Sequence, residues 1–276
     1  MTLKQNIDKE HEQDLRRLQK FRLLDDDFMT KCFENDTACV ELVLQIVLNK
    51  NDLKVEDVRT QVFVENLIKR SVRLDVLATD RDGKKYNIEI QRADKGAGVR
   101  RARYNSSMMD ANLLKKGEDF AQLPETYVIF ITENDVMKKG LPLYSVERII
   151  KETGEAFGDG AHILFVNGAY RSDTPLGKLM HDFSCTQPSQ MNYKVLADRA
   201  RYFKESKEGI AIMCKAMEDM RNQALEEGIK QGVIKGKIDV AFRMLKKGDF
   251  TDEEIAELSG LSIEEIKKLS AGEDIE

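Results

Sequence analysis

Apolar and polar positions alternate through "VRTQVFVENL" (residues 58–67) and again through "VRLDVLATDRDGKKYNIEIQR" (residues 72–92). That period of two predicts one strand and then a hairpin. The turn "DRDG" decides the hairpin register. A two-residue loop would pair Asp80 with Gly83 and set Ile88 opposite Asp75. A three-residue loop, Arg81-Asp82-Gly83, pairs Asp80 with Lys84 and sets Asp75 opposite Glu89. The second is expected, because a type I turn followed by a left-handed residue is the common three-residue hairpin and Gly83 stands where the left-handed residue falls. Leu74, Val76 and Ala78 then share a face with Tyr86, Ile88 and Ile90, and Asp75, Leu77, Glu89 and Gln91 share the other.

Helical period governs other stretches. Residues 1–30 read as a polar helix ending in "LLDDDF". "NDTACVELVLQIVLN" reads as an apolar helix with Asp36 as its N-cap. "GVRRARYNSSMMDANLLKKG" predicts a helix stopped by Gly117. "ETYVIFITE" is a short, almost uninterrupted apolar run, as expected of a strand buried on both faces, and "HILFVNG" predicts another. The order helix, strand, strand, strand, helix, strand points to an α/β layer around a central sheet.

After Tyr202 the strands vanish. A long helical stretch carries Gly228, Gly232 and Gly236, the pattern of a helix packed closely on a partner. Thr251 with Glu254 and Ser262 with Glu265 form two capping boxes, each launching a short helix in a helix-turn-helix outline. Residues 262–269 hold two lysines against two glutamates, poor material for phosphate contacts. The expected organisation is a domain over residues 1–204, a helical linker over 205–240 and a small helical tail over 241–276.

Composition narrows the setting. The net charge is −5, yet residues 84–116 carry nine basic and three acidic side chains, a local balance of +6 that leaves −11 on the rest. A basic stretch beside paired acids suits a phosphate backbone, although a solvated helix face would carry the same charge. No segment approaches the ~18 apolar residues of a membrane span, and the polar start resembles no leader. Cys32, Cys39, Cys185 and Cys214 lie far apart, with "HDFSC" the nearest approach of His to Cys. Buried thiols in a cytoplasmic protein are therefore expected, rather than zinc or disulfides.

Like charges at Asp75 and Glu89, with β-carbons about 5 Å apart, repel unless something compensates. A solvated sheet edge would screen them. A divalent cation would instead bind them, since Mg²⁺ takes hard carboxylate oxygens. Asp75, thirteen intervening residues and then "EIQ" at Glu89–Gln91, on adjoining strands of such a core, resemble the PD-(D/E)XK nuclease superfamily. Within it, "SVRLDVLATDRDGKKYNIEIQ", "RRARYNSS", "LPETYVIFITENDV" and the glycine-repeating tail are similar to the recombination-promoting nuclease and putative transposase family, over roughly residues 25 to 270.

The resemblance implies a restriction-endonuclease-like core (helix, three-stranded meander, helix, strand) with a helical C-terminal extension. It implies a metal-dependent DNA endonuclease using Mg²⁺ or Mn²⁺. Asp75 and Glu89 match the metal-binding acids. Gln91 stands at the third catalytic position, where the superfamily has lysine and this family often has glutamine; a neutral amide replaces a cation there. Arg101 and Tyr104 match the family's arginine and tyrosine and share a helix face. With Arg100 and Lys85 they are the expected phosphate contacts. Glu41 is the candidate for an acid on the first helix. Two other readings fit the same residues: a degenerate nuclease fold that binds DNA without cutting, and a partner-binding adaptor in which the tail associates into a homo-oligomer.

Overall fold

A computed structural model describes residues 3–65, 71–92 and 96–273. They form two compact units, Met1–Cys214 and Lys215–Glu276. The first is built on one six-stranded sheet in the order β1-β2-β3-β4-β6-β5. Its strands are β1 (Val55–Val64), β2 (Val72–Asp80), β3 (Lys85–Gln91), β4 (Thr126–Thr132), β5 (Leu143–Val146) and β6 (Ala161–Asn167). β1, β2 and β3 form an antiparallel meander, β4 joins β3 in parallel, and β6 joins β4 in parallel. This is the core expected of a restriction-endonuclease-like fold. Every residue of β4 is buried, as its unbroken apolar run requires of a central strand.

The hairpin has the expected turn. The Asp80 N–H donates to the Lys84 carbonyl at 3.2 Å, and Gly83 has φ +81. Asp80 fixes the turn from inside: its Oδ1 accepts from the N–H groups of Asp82 and Lys84, and its Oδ2 accepts the Tyr86 hydroxyl at 2.6 Å. The ladder Val76↔Ile88 to Thr79↔Lys85 carries the same register toward Asp75 and Glu89.

Helices α1 (Leu3–Lys20), α2 (Asp26–Phe33), α3 (Thr37–Leu48), α4 (Val99–Leu113), α5 (Pro175–Ser184) and α6 (Lys194–Glu205) accompany the sheet. Asp36 caps α3, accepting from the Cys39 N–H at 2.9 Å. The polar start is two helices rather than one. Between them Leu23 and Leu24 are buried, and Asp25 takes the Arg22 N–H at 2.8 Å, so the chain turns there. Helix α4 ends at Leu113, short of Gly117. Residues 66–67 of the first predicted strand lie outside the described residues, as does Lys95 of the basic stretch. Lys204 on α6 ties distant segments together: it is buried, and its Nζ donates to the carbonyls of Gln19, Phe21 and Thr186. All four cysteines are free.

Helix α7 (Lys207–Lys247) runs across the boundary between the units. In the second unit α8 (Asp252–Ser259) and α9 (Ile263–Ser270) each begin with a complete capping box, at Thr251/Glu254 and Ser262/Glu265. Ala241, Ile255, Leu261 and Ile266 make a small core there. Among the described residues no helix is long and apolar enough to cross a membrane.

Candidate active site

Strands β2 and β3 part at the acid pair. The ladder stops at Val76↔Ile88, and side chains take over: the Asp75 N–H points to Glu89 Oε1 at 3.4 Å, while the Ile90 N–H donates to Asp75 Oδ2 at 3.0 Å. Each carboxylate thus engages the backbone of the other's strand, and the two meet at the mouth between them. The simple alternation expected along β2 is broken here. Leu74 and Leu77, three residues apart, pack in one cluster with Ala102, Met108 and Phe130. Across the strand pair, the register Thr60↔Val76 and Val62↔Leu74 sets Gln61 opposite Asp75, and Gln61 has φ +53.

Both acids are buried, Asp75 to 6% exposure and Glu89 to 0%. Burial pushes the Asp75 carboxyl up to about 8, with the charges of Glu89 and Asp26 adding to the rise. Burial raises Glu89 as well, against the opposing pull of Arg101. Arg101, on the first turn of α4, places Nη2 2.9 Å from Glu89 Oε2 and donates from Nη1 to the Gly96 carbonyl at 3.3 Å.

A cleft of about 940 Å³ opens over this pair. Of the residues expected at the site, Asp75, Gln91, Arg100, Arg101 and Tyr104 line it, and Glu89 sits beneath Arg101. The Gln91 amide lies so close to Gly96 that a Cβ there would fall 1.6 Å from Gln91 Oε1, so only glycine leaves the amide its place. Arg73 and Arg103 join the lining and extend its positive rim.

Two expected residues stand elsewhere. Glu41, on α3, reaches over to the start of β1, where it accepts from Lys54 Nζ at 2.7 Å and the Val55 N–H at 3.0 Å. Burial would raise its carboxyl, but those two bonds outweigh burial and hold it below the usual range, which marks a structural anchor. Lys85, at the turn end of β3, donates to Thr79 Oγ1 at 2.9 Å and does not line the cleft. The acid that does reach the cleft from the helical layer is Asp26, in the first turn of α2. It belongs to the run Asp25-Asp26-Asp27, whose density of charge at a helix start was its signal in the sequence.

The donors present fit a hard divalent cation. Two buried carboxylates converge at the base of the cleft, and burial raises the proton affinity of both. Buried amides nearby are also incompletely used. Asn87 on β3 sits beside Glu89 and helps hold its carboxyl down, yet neither its Oδ1 nor its Nδ2 has a well-formed hydrogen bond, and Asn105 on α4 leaves Nδ2 without one. Among the described residues no group of three or more His, Cys, Asp or Glu is arranged to hold a metal, so a cation here would keep several waters.

No curated protein and no solved structure matches the chain. Residues 31–168, half of its length, match the family described as PD-(D/E)XK nuclease family transposase. The match spans β1 to β6 and both acids of the pair, and the chain belongs to that family.

Proposed function

We propose that the protein is a Mg²⁺- or Mn²⁺-dependent endodeoxyribonuclease of the transposase type. The observation that carries this reading is the buried Asp75–Glu89 pair at the base of an arginine-lined cleft. Asp75 and Glu89 would hold the cation, with Asp26 adding its charge from α2. A bound cation supplies a Lewis acid to a phosphoryl oxygen and makes a nearby water a better nucleophile. The chain's own residues do the rest. Arg73, Arg100 and Arg103 neutralise the DNA backbone along the rim, and Arg101 and Tyr104 orient the phosphate to be cut. The Gln91 amide, held in place by Gly96, orients the attacking water as a neutral dipole. Hydrolysis forms a bond from water oxygen to phosphorus and breaks the bond to a sugar oxygen, which leaves with a proton.

The helical tail is assigned to association with a second copy, not to reading DNA. Residues 221–236 of α7 are exposed all round and include Leu225, Ile229, Val233 and Ile234. Its three glycines each cost about 1 kcal/mol in a lone helix. Four free cysteines agree with a cytoplasmic setting. The test is relaxation of supercoiled plasmid by wild-type protein with Mg²⁺ or Mn²⁺, compared with Asp75→Asn. Salt-sensitive DNA binding with no nicking would instead make the protein a DNA-binding relic of a nuclease.

A further inference from the structure

Gln61 is the one residue in a strand, among the described residues, that is not glycine and has positive φ. A left-handed backbone is strained for a residue with a side chain, and such residues persist where their surroundings hold them. Asparagine or glycine would take the conformation more readily, so backbone preference does not explain a glutamine here. Its side chain does. Nε2 donates to Thr30 Oγ1 at 3.0 Å and to Asp26 Oδ1 at 3.3 Å, and Thr30 Oγ1 stands 3.4 Å from the same Asp26 oxygen. A strand amide and a helix hydroxyl therefore hold Asp26 by one oxygen.

We propose that Gln61 is a positioning residue for Asp26, and that its left-handed backbone is the means by which β1 aims an amide at that acid. The inference rests on the reading of Asp75 and Glu89 as a cation site to which Asp26 lends its charge. Irregular strand residues near active sites commonly re-aim a side chain in this way. Here the irregularity acts on both sides of the strand. It directs Gln61 toward Asp26 on α2, and it lies opposite Asp75, where the β2–β3 ladder gives way to the acid pair. A long amide is needed, because asparagine, though easier to hold left-handed, is one methylene shorter.

The test compares Gln61→Gly and Gln61→Asn with wild type by Mn²⁺ titration calorimetry and by thermal melting without metal. Glycine relieves the backbone while removing the amide, so the two readouts separate. The expected result is a metal-free melting temperature that is unchanged or higher, with Mn²⁺ affinity lowered about 10-fold or more, the range typical of groups that orient ligands. Gln61→Asn should lower affinity similarly. Thr30→Val, which removes the other bond to Asp26, should act in the same direction. Affinity within twofold of wild type in Gln61→Gly would overturn the proposal. So would an affinity loss that merely follows a lower melting temperature and disappears on cooling, since that marks a structural role only. Should wild type itself show no Mn²⁺ binding that Asp75→Asn abolishes, the cation reading fails first and the proposal with it.

Discussion

Arg101 Nη2 lies 2.9 Å from Glu89 Oε2, joining a side chain that is 41% exposed to one that is fully buried. In the absence of metal, the guanidinium is the nearest positive charge to the acid pair. The same arginine lines the cleft where phosphate is proposed to bind. A cation at the pair would therefore compete with the arginine for one carboxylate, and its entry would free Arg101 for the proposed substrate. Arg101→Met should lower metal-free stability by about 1–3 kcal/mol, less than for a fully buried pair because half of this one is wet. It should also raise Mn²⁺ affinity while slowing nicking at least 10-fold. Urea denaturation, calorimetry and a plasmid assay would show the opposed effects.

Asp75→Asn and Glu89→Gln should each abolish metal-dependent nicking. The metal-free protein should keep its fold, and Asp75→Asn should gain stability, on the order of 1–3 kcal/mol near neutral pH, because a buried amide needs no proton taken up on folding whereas the Asp75 carboxyl does. Melting temperature, circular dichroism and plasmid relaxation on the same preparations check both halves. Nicking that survives Asp75→Asn in clean protein would place the chemistry elsewhere.

The pH dependence follows from the direction of the Asp75 shift. Its carboxyl ionises near 4 in the unfolded chain and is raised to about 8 in the folded one, so between these values the native state holds the extra proton. Its stabilising contribution is complete below pH 4 and is lost as pH rises toward 8. Metal-free melting temperature should fall over that window, and Asp75→Asn should flatten the fall. Since the cation displaces the proton, Mn²⁺ affinity should climb from pH 6 to 8 by up to ~10-fold per unit for each proton released.

Gln91→Ala should slow nicking by about 10-fold, less than loss of an acid, because a neutral orienting group contributes less than a cation ligand. Gly96→Ala should mimic it from a distance, since the added methyl takes the space of the Gln91 amide. Equal effects of the two on kcat, with Mn²⁺ affinity unchanged, would tie them to one role.

Removal of the tail tests association. Met213 and Met217 are buried, so the cut belongs after Met220 rather than after Tyr202, where the composition changes. The shortened protein should show a lower mass by light scattering and still nick plasmid at high enzyme concentration. Loss of DNA affinity with the mass unchanged would make the tail a DNA-binding element.

Where local chemistry decided the structure, the sequence was readable. Gly83 and Asp80 set the hairpin, and so the register of Asp75 and Glu89; Asp36, Thr251 and Ser262 set helix starts within a few residues of themselves. What was missed depended on distant partners. Strand β5 is four residues at the sheet edge, defined by its pairing with β6. Glu41 and Asp26 are both acids in helices beside apolar residues, and only the packing of α2 and α3 determines which one meets Asp75. Nothing in the letter Q marks a left-handed backbone, so the positive φ at Gln61 and the break in alternation across from it were beyond any pattern of period two.

The order in which the strands are made has its own consequence. The cleft residues all fall between Asp26 and Ser107, but β3, which carries Glu89, pairs along its far edge with β4, and β4 in turn with β6. Parallel pairings of this kind form late, because a long loop must close before they contribute. A chain emerging from the ribosome therefore holds every group of its cleft while lacking the strands that fix them. On the proposed reading, its acids would not be set for nucleic acid until β6, ending at Asn167, has been made, and Lys204 would then fasten α6 to the carbonyls of Gln19 and Phe21 near the start of the chain. Synthesis itself would thus delay the assembly of the cleft.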